Sequence, residues 1–378
     1  MITRREGEAM LRKVIAAATI VGLAAAGTVT VPASSASADD DHRRLRRLIN
    51  RLTTEDGAPG AIAYVEDRNG RRTVIRSGVG DVRTGEPIPV DGHWRMGSIT
   101  KPFVATVVLQ FVGEGEVELD APVDRYLPGL VDRRITVRHI LQHTSGLPDY
   151  LEHLSLPDII ANPLAHHERS DLLATALKHP PLFEPGKGWS YGNTGYLLAG
   201  MLIEKVTGRP YGEEIKRRIL EPLRLRQTYV PLDDSVLPSP HPRGYVRTAP
   251  DAAPLDRTRL NPSVAPSSGN IVSTASDVNR FLGALVGGRL LDPPELREMM
   301  TTRRTGRPSG SKYGLGLERV RLPCGGHLWG HAGDMIGFSA RSGVNADGRR
   351  VTVMANLNPG NTDAQDDDLA AALTTALC

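Results

Sequence analysis

The segment GHWRMGSITKPFVATVVLQFV, residues 92–112, constrains the fold more than any other stretch of the chain. From Pro102 to Val112 only Thr106 and Gln110 interrupt a run of apolar residues. A helix with no polar face has to be buried. Yet this one opens on Ser98 and Lys101, three positions apart and therefore on one helical face. A charge entering an apolar helix is costly unless it is used. A serine becomes a nucleophile at neutral pH only beside a base. A lysine in apolar surroundings loses affinity for its proton and can act as one. Ser98 is therefore the candidate nucleophile and Lys101 its candidate partner.

Competing motifs are weaker. With 20 serines and 7 lysines in 378 residues, chance gives about 0.4 Ser-x-x-Lys pairs, and the chain has two. The second, Ser309 to Lys312, lies in a Gly- and Pro-rich stretch where no helix would hold it. GWSYG, residues 188–192, fits the G-x-S-x-G nucleophile elbow, but the required buried strand before it is replaced by HPPLFEPGKG, a loop. The same segment supplies Tyr191 and Asn193, whose phenol and amide can face one cleft. A phenolate near an ammonium is stabilised and can take a proton, although, taken alone, this segment reads better as a loop tyrosine with Asn193 capping the next helix. His331 and Gly333 sit at the start of a strand hairpin, where glycine lets a substrate backbone come close; a lone histidine there is more often structural. His166-His167 lacks the H-E-x-x-H pattern, and His139 with His143 has no evident acidic third ligand, so no metal is expected.

The N-terminus has the order of an export signal: basic residues at Arg4, Arg5, Arg12 and Lys13, an apolar small-residue run, then Ala36-Ser37-Ala38. A membrane anchor is the other reading of that run. Cleavage after Ala38 would leave 340 residues of net charge +1, which gives nucleic acid nothing to hold. Cys324 and Cys378 form an even pair that an exported chain can bridge or leave as free thiols. Strand patterns at residues 61–66 and 73–78, joined by an Asn-Gly turn, return at 313–320, 327–330, 337–345 and 350–357. Helical patterns lie at 41–52, 98–112, 135–143, 171–178, 195–206, 212–220, 276–286 and 363–377. This order predicts an α+β fold. A signal peptide covers 1–38, one sheet domain is built from 39–120 and 265–378, and a helical domain covers 121–264.

The ordered set Ser98-x-x-Lys101, Tyr191-x-Asn193 and His331-x-Gly333 resembles the penicillin-recognising serine hydrolases, which include class C β-lactamases, D-alanyl-D-alanine carboxypeptidases, esterases and D-amino-acid peptidases. ILQHTSGLPDY at 140–150, YLLAGMLIEKVTG after Asn193 and YGLGL at 313–317 are similar to further signatures of that family, and the likeness runs over nearly all of 48–378. It implies a five-stranded antiparallel sheet flanked by helices, with a helical domain alongside and no cofactor. It is strongest to secreted actinomycete D,D-carboxypeptidases, which bridge a cysteine seven residues before the third motif to one near the C-terminus, as Cys324 and Cys378 stand here. By this resemblance Ser98 carries the acyl group, Lys101 and Tyr191 manage its proton with Tyr191 as the preferred base, and Asn193 donates to the substrate amide. His331 orients Tyr191, and the backbone N–H groups of Ser98 and Asp334 form the oxyanion hole. Four positions depart from the pattern. Ala332 and Asp334 replace hydroxyl residues, and Glu318 replaces an arginine, so a terminal carboxylate would meet added negative charge; Val264 stands where relatives carry a tryptophan. Arg319 is turned to the other face by strand alternation. The expected protein is a secreted monomeric serine hydrolase without a metal, a D-alanyl-D-alanine carboxypeptidase/transpeptidase-like peptidase acting on peptidoglycan stem peptides. An esterase, D-amino-acid amidase or β-lactamase is the alternative on the same fold, and β-lactams are possible ligands. A non-catalytic penicillin- or peptidoglycan-binding module is the alternative of another class.

Overall fold

Helix α2 (Thr100–Gly113) lies at the centre of the molecule, and eleven of its residues, Lys101 among them, are buried. Its apolar residues join the largest hydrophobic cluster, where Phe103 stacks on Phe281 with ring centroids 3.5 Å apart. Burying each such side chain stabilises by about 1.5–3 kcal/mol. Pro102 is tolerated because the first four N–H groups of a helix lack intrahelical partners. Ser98 does not lie in α2 itself but in the 3-10 turn Gly97–Ile99 that leads into it.

This computed structural model describes residues 35–249, 252–360 and 364–378; most of the expected signal segment, through residue 34, lies outside the described residues. After α1 (Ser35–Thr54) come β1 (Gly60–Glu66) and β2 (Arg72–Gly78). The main sheet resumes late in the chain with β3 (Arg303–Arg304), β4 (Lys312–Tyr313), β5 (Glu318–Arg321), β6 (His327–Met335), β7 (Phe338–Asn345) and β8 (Arg350–Ala355). The order is β2-β1-β8-β7-β6-β5-β4-β3, antiparallel throughout. The α+β class agrees with the sequence, and the strand count is larger than the expected five. The pattern at 313–320 is not one strand: Gly316 adopts φ +81° and breaks it into β4 and β5.

One face of the sheet packs on α5 (Ala275–Val286), the other on α1 and α6 (Ala364–Leu377). Helices α3 (Val137–Gln142) and α4 (Thr194–Thr207) pack together between the two groups of strands in sequence. Helix α5 starts one residue earlier than its pattern, with the hydroxyl of Thr274 accepting from the Asp277 N–H as its cap. The predicted helix at 212–220 changes character midway, from Tyr211–Ile215 to a π-helical turn at Lys216–Leu220.

Cys324, in the turn between β5 and β6, is bridged to Cys378 at the end of α6. The bridge closes a 54-residue separation and ties the hairpin carrying His331 to the helix that covers the sheet. In the chain-entropy model a loop of this size contributes about 4 kcal/mol. Replacing both cysteines by serine is expected to lower the unfolding free energy by about 2–4 kcal/mol in denaturant titrations. An unchanged midpoint would show that the bridge constrains nothing.

Candidate active site

The approach of the turn at Ser98 to β6 decides the site. Trp94–Arg95 pairs with Val272–Ser273, and the Met96 N–H donates to the Ile271 carbonyl at 2.9 Å, which pins the chain before the turn. Gly97 then takes φ +52° and lies against the backbone of Asp334; a Cβ there would meet the Asp334 oxygen at 2.5 Å. A Cβ on Gly333 would lie 2.0 Å from the Met96 carbonyl oxygen. Two glycines facing each other therefore bring Ser98 and Asp334 together.

Lys101 is fully buried in the first turn of α2. Its Nζ lies 2.8 Å from Ser98 Oγ, 2.8 Å from Asn193 Oδ1 and 3.0 Å from the Ser268 carbonyl oxygen. The rings of Tyr191 and Tyr196 are 4.8 and 5.5 Å away. Burial lowers the Lys101 ammonium to about 7, with the Asp149 carboxylate partly opposing the shift. The positive end of the helix acts in the same direction as burial. Tyr191 is shifted the other way. Burial raises its phenol above the ordinary tyrosine range, and a hydrogen bond with Ser98 only partly opposes this.

Asn193 stands at the N-terminus of α4 but makes no side-chain cap bond. Its amide instead bridges Lys101 and Asp149, with Nδ2 donating to Asp149 Oδ2 at 2.8 Å. The His331 ring lies beside Tyr191, with centroids 6.1 Å apart, but its hydrogen bonds go elsewhere: Nε2 pairs at 2.8 Å with the Tyr313 hydroxyl, and Nδ1 contacts the Ala332 carbonyl. Burial drives the His331 imidazole down to about 3, so it is neutral. The aromatic neighbour closest packed on Tyr191 is His143, with centroids 4.4 Å apart; it too is buried and shifted well below its usual range.

Ser98, Tyr191, Asn193, Glu318, His331, Ala332 and Asp334 all border one cleft of ≈ 760 Å³. Gly333 lies behind it against Met96. The other Ser-x-x-Lys pair does not share a helix, since Lys312 is on β4 and Ser309 is in the loop before it. The charge at Glu318 and Asp334 is not bare, as the sequence suggested. Arg307 donates to Glu318 at 3.2 Å, and Arg341 donates to Asp334 at 3.0 Å and to Asp366 at 2.6 Å. Arg319 is turned away, donating to His327 and lying over Trp329. Asp149, His143 and Tyr313 fall within the family signatures, where sequence reasoning assigned none of them a role beside the serine. For Arg307 and Arg341 the sequence carries no signal, because their role depends on a cross-strand partner.

The fold and this site together define a serine hydrolase of the penicillin-recognising class. The Beta-lactamase family model matches residues 45–376, and the chain belongs to that family. It is similar to a D-stereospecific amidohydrolase from Streptomyces sp., with a TM-score of 0.81 and 37% identity over 88% of this chain and 98% of that one. Esterase EstB of Burkholderia gladioli is 31% identical over 64% of this chain and 69% of its own length. Penicillin-binding protein 4 of Amycolatopsis lactamdurans is 31% identical, with 64% of this chain and 63% of the relative covered. Among the described residues no cluster of three metal-ligating side chains occurs, and no helix is long and apolar enough to cross a membrane.

Gly333→Ala is expected to reduce kcat by about 10²-fold or more, because a shift of about 1 Å in the turn misplaces the serine and its backbone donors. Steady-state kinetics on an activated ester measure this. Wild-type kcat in the variant would show that the close approach is not needed.

Proposed function

We propose that this protein is an exported hydrolase that cleaves amide or ester bonds of D-aminoacyl compounds through an acyl-enzyme on Ser98, with Lys101 as general base. The observation that carries the reading is the set of acceptors around Lys101 Nζ. A neutral amine has two N–H groups and one lone pair. Two of the three neighbours, Asn193 Oδ1 and the Ser268 carbonyl, can only accept. They take both N–H groups, and the lone pair is left facing Ser98 Oγ. A buried amine with its proton affinity near neutrality is matched to this task. The raised phenol of Tyr191 argues against a resting phenolate, so Tyr191 is assigned the later step.

Ser98 Oγ attacks the substrate carbonyl as its proton passes to Lys101 Nζ. The oxyanion is held by the N–H groups of Ser98 and Asp334, beside the positive end of α2. The leaving amine or alkoxide takes a proton from Tyr191, which recovers one from Lys101. Water then attacks the ester carbon, giving the acid and free Ser98. One chain carries all of these residues, so the reading needs no second subunit. Export is supported by the disulfide, which persists in oxidising compartments, and by the signal-like N-terminal sequence.

The substrate class follows from the charges lining the cleft. Two arginines face three carboxylates, Glu318, Asp334 and Asp366, leaving one negative charge in excess. Both arginines are engaged with these carboxylates, so a free C-terminal carboxylate finds no uncommitted cation there. An ammonium or a neutral amide is better accommodated. The apolar wall of Leu151, Leu154, Ile159, Val264, Met335 and Ile336 suits an aliphatic or aromatic side chain. Similarity to a D-stereospecific amidohydrolase supports the D configuration. D-alanyl-D-alanine carboxypeptidase activity, which the resemblance to penicillin-binding proteins favours, is the second reading.

Ser98→Ala is expected to abolish hydrolysis and labelling by a fluorescent fluorophosphonate, while Ser190→Ala keeps most activity; equal loss in Ser190→Ala would restore the elbow reading. D-phenylalanine amide is expected to be cleaved at least tenfold faster, by kcat/KM, than a peptide ending in D-Ala-D-Ala. Asp334→Thr, which removes one of the two carboxylates held by Arg341 and adds a hydroxyl, should narrow that ratio. A wild-type preference for the free carboxylate would overturn the amidase reading in favour of the carboxypeptidase.

A further inference from the structure

We infer that Asp149 is a positioning residue that fixes the orientation of the Asn193 amide and thereby aims Lys101 at Ser98. The inference rests on the reading of Lys101 as base, and it concerns a buried carboxylate that neither bonds to Ser98 nor lines the cleft itself. Asp149 lies in the stretch HTSGLPDY, just before the 3-10 turn Tyr150–His153. It is 7% exposed, and its two oxygens have separate partners. Oδ1 accepts from the Leu151 N–H at 3.1 Å and caps the turn. Oδ2 accepts from Asn193 Nδ2 at 2.8 Å.

The chemistry of the groups determines the orientation. An amide side chain can rotate by half a turn and exchange its oxygen for its nitrogen at almost no steric cost. Beside a carboxylate only the nitrogen makes a hydrogen bond. With Nδ2 held by Asp149, Oδ1 must face Lys101 Nζ, where it lies at 2.8 Å. Were the amide reversed, an N–H would point at the lysine. The neutral amine would then turn its lone pair toward Asn193 and away from Ser98. Asp149 thus controls the direction of a proton transfer it does not take part in. Its charge also favours the Lys101 ammonium, acting against burial.

Replacing Asp149 by asparagine exposes both effects. The Leu151 N–H still requires an acceptor, so the oxygen of the introduced amide keeps the cap and its nitrogen faces Asn193. Asn193 must then reverse, presenting its N–H groups to Lys101. Loss of the carboxylate charge and reversal of the amide both disfavour the ammonium. Both move the lysine's titration to lower pH. The other titratable groups facing Lys101 do not titrate near neutrality. His143 and His331 are held neutral by burial, and Tyr191, Tyr196 and Tyr313 are raised by it. Arg307 lies beyond the Tyr191 ring, 5.4 Å from its centroid.

The test is the pH dependence of kcat/KM on a neutral ester. Wild type should show an acid limb near pH 7, with activity rising as Lys101 loses its proton. A flat wild-type profile overturns the base reading and this inference with it. In Asp149→Asn, kcat should fall about tenfold or more and the acid limb should move to lower pH by at least half a unit. A wild-type limb that stays in place in the variant overturns the Asp149 inference alone and makes any loss of kcat structural. Should that variant fail to fold, the exchange Asp149→Asn with Asn193→Asp keeps every hydrogen bond and places the carboxylate against Lys101. Its limb should move above that of wild type; a limb at or below the wild-type position overturns the inference.

Discussion

A lysine amine enclosed without solvent, 2.8 Å from a serine hydroxyl, is the constraint on which the rest of the molecule depends. An uncompensated ammonium in such a place is expensive, and folded proteins respond by shifting its proton affinity. Here the cost is limited by two carbonyl acceptors and one buried carboxylate a residue further away. The amine therefore sits near neutrality, where small changes in its surroundings decide its protonation. A more polar site would return it to an ordinary lysine, and a site without acceptors would leave it misdirected.

The surrounding architecture keeps this arrangement rigid. Helix α2 is apolar on every side because it must exclude water from Lys101. It is enclosed by α4, by α5 through the Phe103–Phe281 stack, and by the helices Tyr211–Ile215 and Pro293–Met300. Gly97 and Gly333 let the serine turn dock on β6 at backbone distance. The bridge from Cys324 to Cys378 then ties the far end of that strand to the covering helix. The mouth of the cleft follows a different logic. There Arg307 and Arg341 are matched by carboxylates, and specificity depends on which charges remain unmatched.

Much of this was legible in the sequence, for identifiable reasons. The buried helix, the Ser98–Lys101 pair and the hairpin at 61–78 come from local spacing, which the backbone must obey. The family motifs carried Tyr191, Asn193, His331 and the cysteine pair. What was not legible depended on cross-chain geometry. Glu318 and Asp334 read as bare negative charge because their partners, Arg307 and Arg341, are separated from them by turns of the sheet. His331 was assigned to Tyr191, whereas its ring nitrogen reaches Tyr313 on β4. Asp149 was visible only as one letter in a signature, since nothing local shows that its second oxygen faces Asn193.

Everything proposed for this site requires Lys101 to rest near neutrality in the free enzyme. Labelling the lysines with 13C at Cε and following their chemical shifts by NMR from about pH 5 to 11 measures this directly, since that range spans the shifted and ordinary lysine values. Seven lysines are present in the full sequence, and Lys101→Arg identifies the relevant signal. The Lys101 signal should titrate near pH 7, well below the ordinary lysine value of about 10.4. A Lys101 signal that titrates at the ordinary lysine value would contradict a neutral amine at the serine.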